Sequence, residues 1–266
     1  HGLRGSEPLY LRHLTGTITE PGLPMPSNEP TPVELITFDL DDTLWAVGPV
    51  IVAAENAMWA WLSEHCPNMA ERYNRDALMP IRTEILAEDP DLAHDISTLR
   101  VTLLTRAMER SGYAEHRASQ LATDAFEVFM HERHAVEYFD HVHDVLEILR
   151  GRFRLGVISN GNADVRRLSI GEYFDFAIAA GDLRTSKPDP KIFEAALEKG
   201  QVPAHRTLHV GDNPEHDIAG ANALGIRTIW VNHGGDVYPG DVPADHEISS
   251  LDQLPAAISA VVGDVE

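Results

Sequence analysis

Val33-Glu34-Leu35-Ile36-Thr37-Phe38-Asp39-Leu40-Asp41-Asp42-Thr43-Leu44-Trp45, residues 33–45, joins an apolar run to three carboxylates. Val33 to Phe38 is apolar and β-branched enough to read as a buried strand. It passes directly into Asp39, Asp41 and Asp42. In open α/β sheets, ligands bind at the carboxyl ends of strands, which is where these groups stand. Asp39 and Asp41 are two apart, so a strand, or the turn that follows it, can aim both at one point. Carboxylates that close repel unless something positive, normally a divalent cation, lies between them. By itself the stretch also fits an acidic loop capping the next helix.

Outward from this stretch, the rest of the chain breaks the tie. Asp39-Leu40-Asp41-Asp42-Thr43 resembles the first motif of the haloacid dehalogenase-like (HAD) superfamily of phosphohydrolases. Three further stretches are similar to the motifs that follow it, in the family's order. They are Ser159 after an apolar strand, Lys187 in Ser186-Lys187-Pro188-Asp189-Pro190, and Gly211-Asp212 with Asp217 five residues later. One such motif is a weak signal; four in order, each at the end of an expected element, are a strong one.

The 266 residues are enough for one large domain or for a core with a smaller insert. No apolar run approaches the ~18 residues needed to span a bilayer. Cys66 is the single cysteine, which excludes an intrachain disulfide and fits a reducing cytoplasm. The formal net charge of −21 disfavours nucleic acid as a partner. It also means that an anionic substrate must be held by local positive charge against the overall field. Nothing in the sequence specifies an oligomeric state.

Residues 1–32 carry six prolines and no helical or strand period, which predicts an extended N-terminal arm. Met25 stands shortly before the first strand as a candidate start, which would make residues 1–24 foreign to the native chain. Gly48-Pro49 supports a helix start. Residues 50–66, 71–88, 91–111 and 116–133 read as four helices, an all-helical insert over 49–137. From His141 strands and helices alternate. Strands are expected at 154–159, 176–179, 207–210 and 227–231. Helices are expected at 142–150, 163–170, 190–199, 215–224 and 251–262. This alternation predicts a doubly wound, Rossmann-like parallel sheet over 33–48 and 138–266. The insert resembles the four-helix cap that many family members carry there.

The resemblance implies a phosphoryl-transfer site. Asp39 would be the nucleophile, passing through an aspartyl-phosphate. Asp41 would be the acid for the leaving oxygen and then the base for the attacking water. Mg²⁺, a hard cation, would take Asp39, Asp212 and the backbone carbonyl of Asp41, with Asp217 acting through water or towards Lys187. Ser159, followed by Asn160-Gly161-Asn162, can present hydroxyl and amide donors to the phosphate. Lys187, held extended by Pro188, would offset its charge. Each has a plainer alternative: a helix cap for Asp39, a turn for Ser159 and Asn160, a solvated lysine, and a helix-terminal charge for Asp217. Asp42 is expected to support the loop, and the 14 histidines to be surface or packing residues.

The expected partner is a small phosphorylated metabolite. Phe38–Leu44, the run Pro90-Asp91-Leu92-Ala93-His94-Asp95-Ile96, Asn160-Gly161-Asn162 and His209-Val210-Gly211-Asp212 are similar to one bacterial branch. Its phosphatases act on flavin mononucleotide (FMN) and on the pyrimidine precursor of riboflavin. A flat leaving group would need an aromatic wall, for which Trp45, Trp59 and Trp61 are candidates, with Arg100 as a cap cation. A sugar phosphomutase, a haloacid dehalogenase and a non-catalytic binding protein are the rival outcomes on this scaffold.

Overall fold

The computed structural model describes residues 32–262, so the arm expected over 1–32 falls almost wholly outside the described residues. The strands β1 (Leu35–Phe38), β2 (Arg154–Ser159), β3 (Phe176–Ala179), β4 (Thr207–Gly211), β5 (Arg227–Val231) and β6 (His246–Ile248) form one parallel sheet. Their order is β3-β2-β1-β4-β5-β6, so β1 lies in the middle of the sheet.

Period-two alternation assigns each strand residue to one of two layers. Ile36, Phe38, Leu155, Val157, Leu208 and Val210 point into a cluster closed by α6 (Val142–Arg150) and α10 (Leu254–Val262). Leu35, Ile158 and Ile178 point the other way, against Ile192 and Phe193 of α8 (Pro190–Gly200). Helices therefore cover both faces, the doubly wound arrangement expected for a parallel sheet.

Between β1 and α6 the chain is helical. It comprises α1 (Val47–His65), α2 (Pro67–Arg72), α3 (Met79–Glu88), α4 (Ile96–Arg110) and α5 (Glu115–Arg133). These helices bury Met58, Leu62, Leu104, Met108, Leu121 and Phe129 in a cluster of their own. The segments entering and leaving this bundle run side by side: Trp45 bridges Tyr138, and Phe139 N–H donates to the Leu44 carbonyl at 2.9 Å. Polar contacts tie the bundle to the core loops. His94 Nδ1 lies 2.8 Å from Ser186 Oγ, and Asn162 Nδ2 donates to Ser97 Oγ at 3.2 Å.

Several boundaries differ from expectation for local reasons. The helix expected over 71–88 is two: α2 begins at Pro67, and Tyr73 turns extended. The Asn74 side chain accepts from Ala77 N–H to start a new turn that leads into α3. The helix expected over 91–111 starts at Ile96, because Asp95 caps α4 by accepting from Thr98 N–H at 3.0 Å. Five helices thus stand where four were expected. Residues 163–170 form only a short 3₁₀ turn at Val165–Arg167. Pro214–Ala219 widens into a π-type turn before the short helix α9 (Gly220–Asn222), the remaining short helix, α7, being Ala180–Leu183. The edge strand β6, three residues long, was not expected at all.

Candidate active site

The carboxyl ends of β1 and β4 and the loop before α8 meet at Lys187. Its ammonium, 2% exposed, donates to Asp39 Oδ1 at 2.5 Å, Asp217 Oδ1 at 2.6 Å and the Ile158 carbonyl at 2.9 Å. Three acceptors match its three protons. Burial works against the charge on Lys187, but Asp217 and Asp39 hold its pKa above the usual lysine value. Burial would likewise raise Asp217, yet Lys187 and the His209 hydrogen bond bring it below the ordinary carboxylate range. Its second oxygen accepts from Asn213 N–H at 3.0 Å.

His209, fully buried on β4, lies with Nε2 3.0 Å from Asp217 Oδ1 and Nδ1 2.8 Å from Thr37 Oγ1. Burial lowers its pKa, so the ring is neutral. The consistent tautomer donates Nε2–H to Asp217 and accepts from the threonine hydroxyl. His209 is thus part of the carboxylate web and not merely a packing residue.

With one cation committed mainly to Asp217, Asp39 is left in deficit. Its pKa is pushed well up, first by burial and then by Asp217 and Asp212. Asp212 is pushed up to about 7, first by burial and then by the Asp217 charge. The Thr43 hydroxyl stands between the two, 3.1 Å from Asp212 Oδ1 and 3.4 Å from Asp39 Oδ2. Asp39, Asp212 and Asp217 each offer an oxygen within 4.8 Å of the others. Three crowded carboxylates, two of them sharing one ammonium, are short of positive charge, and an all-oxygen donor set fits a hard divalent cation. Both Asp217 oxygens accept from close protein donors, whereas Asp39 Oδ2 and Asp212 Oδ1 share the one Thr43 hydroxyl, which leaves those two carboxylates the freer oxygens.

Asp41 lies outside that cluster. Arg133 Nη2 donates to its Oδ1 at 2.8 Å and Oδ2 at 2.6 Å, and Trp45 Nε1–H donates to Oδ1 at 3.0 Å. Asp42 supports the loop: it takes positive φ, and its Oδ1 accepts from Val47 N–H at 2.9 Å, at the start of α1.

On the β2 side, Ser159 Oγ accepts from Gly161 N–H at 3.0 Å, which folds the 159–161 turn. Asn160 pairs with the Lys187 backbone, accepting from its N–H at 2.8 Å and donating to its carbonyl at 3.0 Å. The Asn160 side chain therefore fixes the lysine loop. A cleft of about 310 Å³ opens beside Ser159 and Gly161, between His94–Ser97 of the helical bundle and the loop carrying Asp164.

The expected aromatic wall is absent at Trp45. That side chain has no exposed face, packs edge-on to Tyr138 at 6.0 Å and uses its N–H on Asp41. Trp61 stacks on His65 at 4.2 Å, while Trp59 lines an apolar cavity of about 300 Å³ within the bundle. Arg100 pairs with Glu55 at 2.5 Å and lies over the Phe129 ring, so it is held within the bundle. The bundle cation that does reach the site is Arg133. Its signal was in the sequence: Ala125, Phe129 and Arg133 are spaced by four, which puts a charge on an apolar stripe.

Residues 33–225 match the family model described as haloacid dehalogenase-like hydrolase. The 5-amino-6-(5-phospho-D-ribitylamino)uracil phosphatase of Escherichia coli is 32% identical over 206 residues, 77% of this chain and 86% of its own. The phosphoserine phosphatase of Thermus thermophilus is 31% identical over 141 residues, 51% of this chain and 55% of its own. Among solved structures, a 2-haloacid dehalogenase from Pseudomonas syringae pv. Tomato superposes with a TM-score of 0.83. It is 48% identical, covering 85% of this chain and 98% of the other. With a model match across most of its length and the motif residues gathered at the strand ends, the chain belongs to the haloacid dehalogenase-like hydrolase family.

Proposed function

We propose that the protein is a Mg²⁺-dependent phosphatase that hydrolyses a small phosphate monoester through an aspartyl-phosphate. The observation that carries this is the crowding of Asp39, Asp212 and Asp217 with a single ammonium that pairs with two of them, together with a further carboxylate, Asp41, two residues from the nucleophile. A haloacid dehalogenase would use the same nucleophile but needs neither a metal nor an acid at that position.

In this reading Asp39 attacks phosphorus, and the bond from phosphorus to the leaving oxygen breaks as Asp41 supplies the proton. Asp41 then takes a proton from water, which attacks phosphorus and frees Asp39. Lys187 donates to Asp39, works against the burial that raises its pKa and faces the phosphoryl charge, and Ser159 with the turn amides is positioned to donate to the phosphoryl oxygens. Mg²⁺, held by Asp39, Asp212 and the Asp41 carbonyl with Asp217 behind, would neutralise phosphoryl charge and the repulsion among the carboxylates. Residues 49–137 act as a cap over the core of 33–48 and 138–266, and exclude water when closed.

For the leaving group we carry the reading to FMN or a ribityl-pyrimidine phosphate. The name of the Escherichia coli relative supports the ribityl-pyrimidine alternative, and the cleft beside Ser159 suits either. Asp95, Asp164 and Asp182 line it with a single arginine, Arg166, already paired to Asp164; this acidic excess suits a hydroxyl-rich leaving group and disfavours one bearing a carboxylate. The buried free thiol of Cys66 supports a reducing, cytoplasmic setting. No described helix is long and apolar enough to cross a membrane.

A second reading, dehalogenation, is favoured by the 48% identical structure. The deciding experiment measures phosphate release from FMN, phosphoglycolate, phosphoserine and glucose 6-phosphate with and without Mg²⁺, beside chloride release from 2-chloropropionate. Mg²⁺-dependent phosphate release, fastest from FMN, is expected. Chloride release that ignores chelation, with no phosphate from any ester, would replace this function with the second.

A further inference from the structure

The buried stripe of α5 ends in a charge. Ala118, Ala122, Ala125 and Phe129 pack into the cap cluster, and Arg133 follows at the next turn, 1% exposed. Its Nη2 spans both oxygens of Asp41, its Nε donates to Asn162 Oδ1 at 3.2 Å, and its Nη1 is buried without a hydrogen-bond partner. A buried charged pair with one donor left over is a poor way to stabilise a fold, because an apolar side chain of similar volume does as well or better. The guanidinium is therefore better explained by what it does to Asp41.

Two further groups close in on that carboxylate, whose side chain keeps 20% of its surface exposed. Trp45 Nε1–H approaches from the chain segment entering the cap. On the β2 side a Cβ placed on Gly161 would fall 2.4 Å from Asp41 Oδ2, so only a glycine lets the turn come this close. Asn162, which Arg133 also holds, donates in turn to Ser97 in the first turn of α4. Asp41 is thus fixed by groups from the core and the cap together.

We propose that Arg133 is the positioning residue for Asp41. Through it the end of the cap helix α5 aligns the carboxylate that protonates the leaving oxygen, so the acid is in place only when the cap is seated on the 159–162 turn. The inference rests on the phosphatase reading and adds to it a cap-borne control of one catalytic group. The planar guanidinium holds the Asp41 oxygens with Nη2 while its Nε is fixed by Asn162, a two-point hold that a lysine ammonium on a flexible stem does not reproduce.

The test exploits the leaving group. kcat/KM reports the step in which Asp39 is phosphorylated, and protonation matters far more for an alkoxide leaving group than for p-nitrophenolate. In Arg133→Met, kcat/KM for an alkyl phosphate that the wild type turns over is expected to fall about a hundredfold. That for p-nitrophenyl phosphate should fall less than about fivefold. Arg133→Lys should lie between Arg133→Met and wild type, and added guanidinium should restore part of the alkyl ester activity in Arg133→Ala. Should Arg133→Met fail to fold, Trp45→Phe removes the other donor to Asp41 from the core side and should show the same dependence on leaving group, in smaller measure. Equal losses on both esters, or no loss, would overturn the proposal. A wild-type protein that releases phosphate from neither ester would instead overturn the phosphatase reading beneath it.

Discussion

Asp39 and Asp41 stand two residues apart and are held by opposite halves of the molecule. Asp39 belongs to a buried web of Lys187, Asp217, His209 and Thr37, all carried by the sheet and its loops. Asp41 is held by Arg133 from the last turn of a cap helix and by Trp45 at the cap entrance. The proposed nucleophile is therefore organised by the core alone, while the proposed acid is organised only where cap and core meet. On the proposed reading, a site divided this way keeps its nucleophile oriented in every cap position and still withholds proton transfer until the cap is seated.

The most severe way to break that division is to remove the nucleophile. Asp39→Asn should keep the fold, since an amide still accepts from Lys187, yet lose phosphate release by at least about a thousandfold. Activity within a tenth of wild type, with deamidation excluded by mass spectrometry, would show that the web does not carry the chemistry. Next comes the lysine at the centre of the web. Lys187→Met leaves Asp39 and Asp217 buried and unpaired, at a cost of about 3–5 kcal/mol in chelator-treated protein. Urea denaturation measures it, and Lys187→Met with Asp217→Asn should recover part of the loss. A Lys187→Met protein as stable as wild type would mean that solvent already reaches the web.

A smaller effect is expected where the cap is involved. Gly161→Ala puts its Cβ against Asp41 Oδ2, which Arg133 prevents from moving aside. Turnover should fall about tenfold, ~1.4 kcal/mol in the barrier, while stability moves by less than about 1 kcal/mol. Unchanged turnover of an alkyl ester would show that Asp41 is free to relax and that the clamp is loose.

The charge on the apolar stripe of α5 was legible in the chain, but its partner was not. The strand end, the carboxylates and Lys187 were legible because buried parallel strands are continuous apolar runs and their polar ends stand out. The contact of Arg133 with Asp41 spans 92 positions, and a basic residue in the last turn of a helix has an ordinary explanation in the helix dipole. His209 was hidden for a related reason. It is a polar residue in a buried strand, and only the β1 register, which sets Thr37 beside it, reveals its partner. Trp45 was misjudged as a stacking surface because adjacency to the catalytic loop says nothing about which way an indole faces. The break at Tyr73 and Asn74 and the three-residue β6 rest on tertiary packing, which no periodicity reports.

The smallest predicted effect lies at the cap–core junction next to Arg133. His134 accepts Asp164 N–H on Nε2 at 2.9 Å, and its Nδ1 lies 2.6 Å from the Met130 carbonyl, an arrangement only the neutral ring can satisfy. Burial lowers its pKa below that of an unfolded histidine. Its contribution is therefore intact above about pH 6.5 and lost as pH falls through that value towards the lower folded one. Scanning Tm from about pH 7.5 to about pH 5.5, His134→Gln should lose less stability than wild type. Parallel curves would remove His134 as a source of the acid sensitivity.

The division between a core-held nucleophile and a cap-held acid presupposes that water attacks phosphorus and not the Asp39 carboxyl carbon. Multiple turnovers in ¹⁸O-water, followed by mass spectrometry of the released phosphate and of the peptide containing Asp39, test this directly. Hydrolysis of an aspartyl-phosphate with Asp41 as base predicts ¹⁸O in the phosphate and none in the peptide. Label in the Asp39 carboxylate, accumulating as a 2-haloacid is consumed, would contradict it.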